Sequence, residues 1–122
     1  MQFLLDSVIL IDHFNGIAAA TDFLAETGAE AALSVITRAE VLAGFDPATE
    51  ALARELLDHF PSLPITAEIA DRAAALRRTQ RWKLPDALQA AVAQQHGLTL
   101  VTRNTRDFQP GGEIQVLVPY QV

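Results

Sequence analysis

Four oxygen-bearing side chains follow apolar runs that have the length of β-strands, and a fifth opens a longer amphipathic stretch. Asp6 comes directly after the first run, Glu40 lies in the segment after the second, and Asp86 opens the stretch "LPDALQAAVAQQHG". Asn104 and Asp107 follow the apolar run "LTLVT". Carboxylate and amide oxygens are ligands that suit Mg²⁺ and Mn²⁺. Since water held by such an ion is a nucleophile, and the ion neutralises charge on a phosphoryl group, the pattern predicts metal-assisted phosphodiester hydrolysis.

The elements that would position these side chains alternate along the chain between short apolar runs and longer amphipathic ones. We predict strands over 3–5, 31–37, 62–66, 98–102 and 114–119. We predict helices over 7–14, 18–27, 38–45, 47–60, 66–79 and 84–96. Strands separated by helices favour an α/β sandwich with a central, mainly parallel sheet of four to five strands. Because sites in such folds form at the carboxyl ends of the strands, all five side chains can reach one rim.

Each of the five residues also has an ordinary structural explanation. Asp6 can cap the helix that follows it, and Asp86 is favourable at a helix N-terminus because of the helix dipole. Glu40 can be a solvent-facing side chain, and Asn104 and Asp107 can be turn formers. No single position is specific for metal binding, so the prediction depends on their joint placement.

Length and composition restrict the class of protein. A chain of 122 residues fits one domain, 1–122, and no apolar run approaches the ~20 residues of a membrane span. The absence of cysteine excludes disulfides and thiolate metal sites. The start, "MQFLLDSVILID", lacks the basic and small-residue features of a signal peptide, so we expect a cytoplasmic protein without membrane contact.

Three stretches in this order resemble PIN-domain ribonucleases of the VapC toxin type: "FLLDSVILID", "SVITRAEVLAGF" and "LPDALQAAVAQQHGLTLVTRNTRDF". The resemblance covers nearly the whole chain and implies a PIN-like α/β/α sandwich with an acidic site for Mg²⁺, or Mn²⁺. It implies that Asp6, Glu40 and Asp86 are the catalytic, metal-holding acids. Asn104 stands where many relatives have Asp, which lowers the charge of the site. Asp107, three residues later, can supply the missing carboxylate.

The resemblance also implies a function and partners. It implies an Mg²⁺-dependent endoribonuclease toxin of a toxin–antitoxin pair, with tRNA or rRNA as the expected substrate, a cognate antitoxin and a homodimer. The hydroxyls of Ser7 and Thr37 are expected to hydrogen-bond to the metal-holding groups. The alternative is a non-catalytic PIN fold that binds RNA or a partner, since Asn104 leaves the site one carboxylate short.

Basic residues concentrate in the second part of this acidic chain. Residues 1–71 hold 12 acidic against 2 basic side chains, whereas residues 72–122 hold 3 acidic against 7 basic ones. The alternatives for this concentration are a solvated helix face and a surface that contacts RNA phosphates. Trp82 can stack on an RNA base or pack at an edge. The side chains expected to contact RNA are Arg77, Arg78, Arg81, Lys83, Arg103 and Arg106.

Overall fold

A parallel sheet of five strands crosses the centre of the molecule. The structure, a computed structural model, describes residues 1–108 and 112–122 of the chain. Its strands pair in the order β3-β2-β1-β4-β5, and every pairing is parallel. This confirms the α/β class predicted from the sequence. The strands are β1 (Phe3–Leu5), β2 (Ala31–Ser34), β3 (Ser62–Leu63), β4 (Thr99–Val101) and β5 (Val116–Leu117).

Six helices in the described residues connect the strands. They are α1 (Ser7–Phe14), α2 (Ala18–Thr27), α3 (Val35–Ala43), α4 (Glu50–Leu57), α5 (Ala67–Gln80) and α6 (Leu84–His96). Thr66 starts α5 as predicted, because its hydroxyl accepts a hydrogen bond of 3.2 Å from the Ile69 N–H. Gly97 ends α6 with φ 64°, a left-handed conformation that glycine adopts without steric cost. No helix in the described part of the chain is long and apolar enough to cross a membrane.

The helices cover both faces of the sheet and produce two apolar cores. Neighbouring strand residues point to opposite faces, so Leu4 packs with α5 and α6 while Leu5 packs with α1 to α4. In β4, Leu100 joins the first core and Val101 joins the second. The resulting order of layers is helix, sheet, helix, which is the sandwich expected from the sequence.

Two predicted boundaries were wrong by about one turn of helix. The second strand ends at Ser34 rather than at residue 37, because the Ser34 hydroxyl accepts a hydrogen bond of 3.2 Å from the Thr37 N–H and caps α3. The next helix begins at Glu50 rather than directly after Asp46. The Asp46 carboxylate accepts hydrogen bonds from the Thr49 N–H at 3.0 Å and its hydroxyl at 2.9 Å, which closes a separate turn.

Candidate active site

The topology of the sheet creates a crevice at the carboxyl ends of β1 and β4. The chain runs outward from β1 through β2 to β3, and β4 and β5 then extend the sheet on the other side of β1. Connections therefore diverge between β1 and β4, which is where ligands bind in open parallel sheets. Asp6 directly follows β1 and Thr102 directly follows β4. These two residues therefore lie side by side at this point.

Asp6 is held firmly from both of its carboxylate oxygens. Its side chain is only 8% exposed. Oδ1 accepts a hydrogen bond of 2.8 Å from the Ser7 N–H, and Oδ2 accepts one of 2.7 Å from the Thr102 hydroxyl. The bond from Ser7 is the helix cap that the sequence left open as an alternative. Asp6 therefore caps α1 and belongs to the acidic site at the same time.

Glu40 and Asp86 lie close enough to Asp6 for its negative charge to raise the pKa of both carboxyls. Desolvation raises the pKa of the Glu40 carboxyl first, and the charges of Asp6 and Asp86 raise it further, while a hydrogen bond with Ser7 lowers it. Desolvation also raises the pKa of Asp86, followed by the charges of Asp6 and Asp107. Glu40 is an exposed residue, although its carboxyl is partly desolvated by the groups around it. The predicted acids therefore form one electrostatic cluster.

Asn104 and Asp107 form a closed turn beside this cluster. The Asn104 amide nitrogen donates to Asp107 Oδ2 at 2.9 Å, and the Asp107 N–H donates to Asn104 Oδ1 at 3.3 Å. The Asn104 backbone N–H donates to the Thr102 hydroxyl at 2.9 Å, which ties the turn to Asp6 through Thr102. Because the charge of Asp107 raises the pKa of Asp86, Asp107 belongs to the same rim. Which of the two supplies a fourth ligand stays a prediction.

The two hydroxyl residues expected to support the acids differ in placement. Ser7 is partly buried beside Glu40, whose pKa its hydroxyl lowers. Thr37 is fully buried, and its hydroxyl donates to the Leu5 carbonyl at 3.1 Å. The Gln89 amide nitrogen donates to the Thr37 hydroxyl. Thr37 therefore belongs to a hydrogen-bond network beneath the acids.

Sequence reasoning missed two residues that touch Asp6. Thr102 ends the run "LTLVT" and has no exposed surface, and Gln89 is 1% exposed on α6. The signal for Gln89 was available, since it shares a helix face with Val92 and Ala93 three and four residues later. A polar side chain on a buried helix face normally has a specific partner.

The six basic residues expected to contact RNA are distributed differently from the acids. Arg103 makes a double hydrogen bond with Asp12, at 2.6 and 2.9 Å, and the Tyr120 hydroxyl donates to the same carboxylate at 2.7 Å. Asp12 is thus a structural acid, which holds Arg103 and Tyr120 in place. Arg77 is exposed and donates to the Trp82 carbonyl at 3.0 Å. Arg78 is exposed on the same helix.

The remaining three lie nearer to the acidic cluster. The positive charge of Lys83 lowers the pKa of Asp86, against the effects that raise it. Arg81 and Arg106 line a cavity of about 480 Å³ together with Asp107 and Trp82. The structure favours the packing role for Trp82, which lies 5.0 Å from Phe108 between ring centres and donates from its indole N–H to the Asp107 carbonyl at 2.9 Å.

The chemistry of the cluster fits a divalent cation. Asp6, Glu40, Asp86 and Asp107 offer only hard oxygen donors, and their mutual repulsion is of the kind that a cation relieves. Within residues 1–108 and 112–122, no group of three or more acidic or histidine side chains stands ready-made as a metal site. The argument that a divalent cation fits the cluster therefore depends on its oxygen donors and on the repulsion among their negative charges.

Comparison of sequences identifies relatives. The profile described as PIN domain matches residues 3–110. Ribonuclease VapC10 of Mycobacterium tuberculosis is 37% identical to this chain over 112 residues, which are 86% of this chain and 84% of that protein. The PIN domain match includes all three stretches on which the resemblance was based.

Comparison of structures agrees with the sequence matches. A chain of a toxin–antitoxin complex from Klebsiella pneumoniae is 40% identical, has a TM-score of 0.90, and the match covers 99% of this chain and 100% of that one. FitAcB from Neisseria gonorrhoeae has a TM-score of 0.82 at 24% identity, over 99% of this chain and 100% of that one, which shows a common fold.

Proposed function

This chain belongs to the PIN domain family, to the branch of VapC ribonucleases, and from that premise we propose that it is an Mg²⁺-dependent endoribonuclease. The proposed reaction is hydrolysis of phosphodiester bonds in tRNA or rRNA, in the cytoplasm. The observation that supports it best is the placement of Asp6. Its carboxylate is fixed from both oxygens at the switch point of the sheet, and its charge raises the pKa values of Glu40 and Asp86 beside it.

We assign the metal-binding site to the acids of this cluster. Asp6, Glu40 and Asp86 would hold Mg²⁺ or Mn²⁺, with Asn104 or Asp107 as a further ligand. Such an ion, when bound, supplies charge stabilisation at the phosphoryl group and hydroxide near neutral pH. Asn104 in the motif does not remove the site, because an amide oxygen ligates hard cations and Asp107 lies in the same turn.

The side chains of the protein perform the other tasks of the reaction. The hydrogen bonds from Ser7 and Thr102 keep both oxygens of Asp6 in one orientation, so little reorganisation is needed when the substrate binds. Lys83 acts electrostatically at Asp86. We propose that it receives a backbone phosphate of the RNA, together with Arg81 and Arg106 beside Asp107.

We further propose that an antitoxin controls this activity and that the toxin forms a homodimer. Support for the antitoxin comes from the chain of the Klebsiella pneumoniae toxin–antitoxin complex, which is 40% identical to this one. The molecule also has a largely apolar groove of about 570 Å³, with Phe14, Phe45, Leu52 and Leu56 among its lining residues. Leu52 is 66% exposed and continues the apolar lining of this groove, and contiguous apolar surface of this kind marks a site of protein–protein interaction.

The rival candidate is a PIN fold that binds RNA without cutting it. It is favoured by Asn104, whose amide is engaged with Asp107 rather than adding a charge to the cluster. Such a protein would bind RNA through its arginines and would leave the strand intact in the presence of Mg²⁺.

Cleavage assays with matched variants separate the two candidates. Protein from cell-free synthesis would be incubated with total tRNA and rRNA, in Mg²⁺ and in EDTA. We expect discrete cuts in Mg²⁺ that disappear in EDTA, in Asp6→Asn and in Asp86→Asn. Glu30→Gln is the control, because Glu30 is an exposed acid that precedes β2, at the opposite edge of the sheet. If the folded wild-type protein binds RNA but leaves it intact, the binding candidate replaces the nuclease.

A further inference from the structure

Gln89 is a polar side chain in an otherwise apolar helix face. The other buried residues of α6 are four alanines and one valine, and the helix is covered by α5 on one side and by the sheet below. Gln89 is 1% exposed. A buried amide is costly unless all of its hydrogen-bonding groups have partners. Among the described residues, no buried side-chain nitrogen or oxygen lacks a partner, so the surroundings of Gln89 satisfy it completely.

The partners of Gln89 come from three different elements. Its Oε1 accepts a hydrogen bond of 2.5 Å from the Ser34 hydroxyl at the end of β2. Its Nε2 donates to the Thr37 hydroxyl on α3 and, at 3.5 Å, to Asp6 Oδ1 after β1. The amide thus spans from the second strand to the first-strand acid, beneath the rim where the acids meet.

The direction of every hydrogen bond in this network is fixed. The Leu5 carbonyl can only accept, so the Thr37 hydroxyl donates to it at 3.1 Å and must accept from Gln89. The Ser34 oxygen accepts from the Thr37 N–H, so its own hydrogen is free to donate to Gln89 Oε1. The amide nitrogen of Gln89 is therefore the atom that faces the Asp6 carboxylate, which as an anion is an acceptor only.

We infer that Gln89 is a positioning residue, which holds the Asp6 carboxylate in the orientation that the acidic site requires. Gln89 and the Ser7 N–H fix Oδ1, while Thr102 fixes Oδ2. The contact at 3.5 Å is at the outer limit of a hydrogen bond, so its role is electrostatic as well as geometric: a fixed positive end of a dipole faces the anion. This inference rests on the proposed function only in assigning metal binding to Asp6.

Two substitutions test the role of the amide nitrogen. Gln89→Met keeps the length and helix preference of the side chain but removes both polar atoms. Gln89→Glu keeps an acceptor for Ser34 but places a second acceptor, with negative charge, against Asp6 and Thr37. Val92→Thr is the matched control, because Val92 is equally buried on α6 but packs in the apolar core and its side chain makes no hydrogen bond to Asp6.

The readouts are Mn²⁺ affinity by titration calorimetry without RNA, and kcat and KM for RNA cleavage. We expect about tenfold weaker Mn²⁺ binding and about tenfold lower kcat at unchanged KM in Gln89→Met. Gln89→Glu should lose more than Gln89→Met, although it is closer in shape. Val92→Thr should lower the melting temperature and leave both readouts unchanged, since destabilisation alone does not alter the site.

The outcomes test the positioning role of Gln89 separately from the proposed nuclease activity. Should Gln89→Met and Gln89→Glu bind Mn²⁺ as tightly as the wild type, the positioning role is overturned, whatever happens to cleavage. If the wild type binds Mn²⁺ without cutting RNA, and both variants bind it more weakly, the nuclease proposal fails and the positioning role stands. If Gln89→Met does not fold, Gln89→Glu decides, because its acceptor still satisfies the Ser34 hydroxyl.

Discussion

Thr102 donates a hydrogen bond of 2.7 Å to Oδ2 of Asp6, a residue that precedes it by 96 positions in the chain. The bond closes the seam between β4 and β1, where Asp6 also donates its backbone N–H to the Val101 carbonyl at 2.9 Å. Thr102 has no exposed surface, and its hydroxyl accepts in turn from the Asn104 N–H. One hydroxyl therefore sets the relation between the first acid and the turn that carries Asn104.

Thr102→Val should separate the effect of this hydroxyl from the effect of the shape of the side chain. Valine fills the same volume but leaves the Asp6 oxygen and the Asn104 N–H without a buried partner, at a cost of about 1–3 kcal/mol of stability. We expect cleavage to fall at least about tenfold, whereas Thr102→Ser should keep most of it. Urea unfolding and the cleavage rate measure the two effects. Equal activity in Val and Ser variants would show that the hydroxyl does not position Asp6.

The Asp12–Arg103 pair should contribute far more to stability than the exposed Glu50–Arg54 pair. Both pairs have a closest distance of 2.6 Å, but the Asp12 side chain is 5% exposed and that of Glu50 is 36% exposed. Asp12→Ala removes charge-assisted hydrogen bonds from Arg103 and Tyr120 and should cost about 1.5–3 kcal/mol, since the remaining Arg103 is 28% exposed and partly hydrated. Glu50→Ala should cost less than about 1 kcal/mol. Guanidinium unfolding of both variants decides, and similar losses would contradict the structural role of Asp12.

Stability of the same pair should depend on pH with a definite sign. The hydrogen bond from Arg103, and then that from Tyr120, lower the pKa of Asp12 below its ordinary value of 3.8, although burial acts in the opposite direction. The stabilisation is therefore present above pH 3.8 and is lost as the pH falls through the lowered pKa. Acid unfolding of Asp12→Asn should start from a lower stability and show a weaker pH dependence than the wild type.

The metal-free acidic cluster should lose stability as the pH rises. Folding raises the pKa values of Glu40 and Asp86 above their ordinary 4.5 and 3.8, so the folded state holds these protons more tightly than the unfolded state. The free energy of unfolding in EDTA should therefore fall as the pH rises above these ordinary values and passes through the raised pKa values of the folded state. Glu40→Gln should reduce this fall and stabilise the metal-free protein at neutral pH, while Mg²⁺ should stabilise the wild type more than the variant. If Glu40→Gln shows the same dependence of melting temperature on pH as the wild type, the charge of Glu40 is not coupled to those of Asp6 and Asp86.

Salt dependence should reveal which arginines contact RNA. In an Asp6→Asn background that prevents cleavage, Arg106→Ala should lower the slope of log affinity against log salt by about 0.7 to 0.9. Arg81→Gly should have the same effect, and glycine suits that position because Arg81 has φ 60°. Arg54→Ala is the control on the α4 surface. If Arg106→Ala and Arg54→Ala give the same slope, the RNA does not contact Arg106.

The sequence predicted the parts of the site that local rules determine. Asp6 and Asp86 stand at a strand end and a helix start, and parallel strands bring such positions to one rim. The sequence did not predict contacts between segments that are distant along the chain. Arg103 was expected at RNA phosphates because it lies among basic residues, and the structure adds a partner, Asp12, 91 residues away. Gln89 was hidden among the other glutamines of "LQAAVAQQH", and its helix phase alone distinguished it.

The place of β4 next to β1, the central strand of the sheet, has a consequence for a chain that is still being synthesised. β1 leaves the ribosome first, yet its second neighbour, β4, and the Thr102 that orients Asp6 come from the last quarter of the sequence. Pairing strands so distant along the chain is a late and slow event in folding. Asp6 therefore lies in an unformed site until β4 and Thr102 have been synthesised.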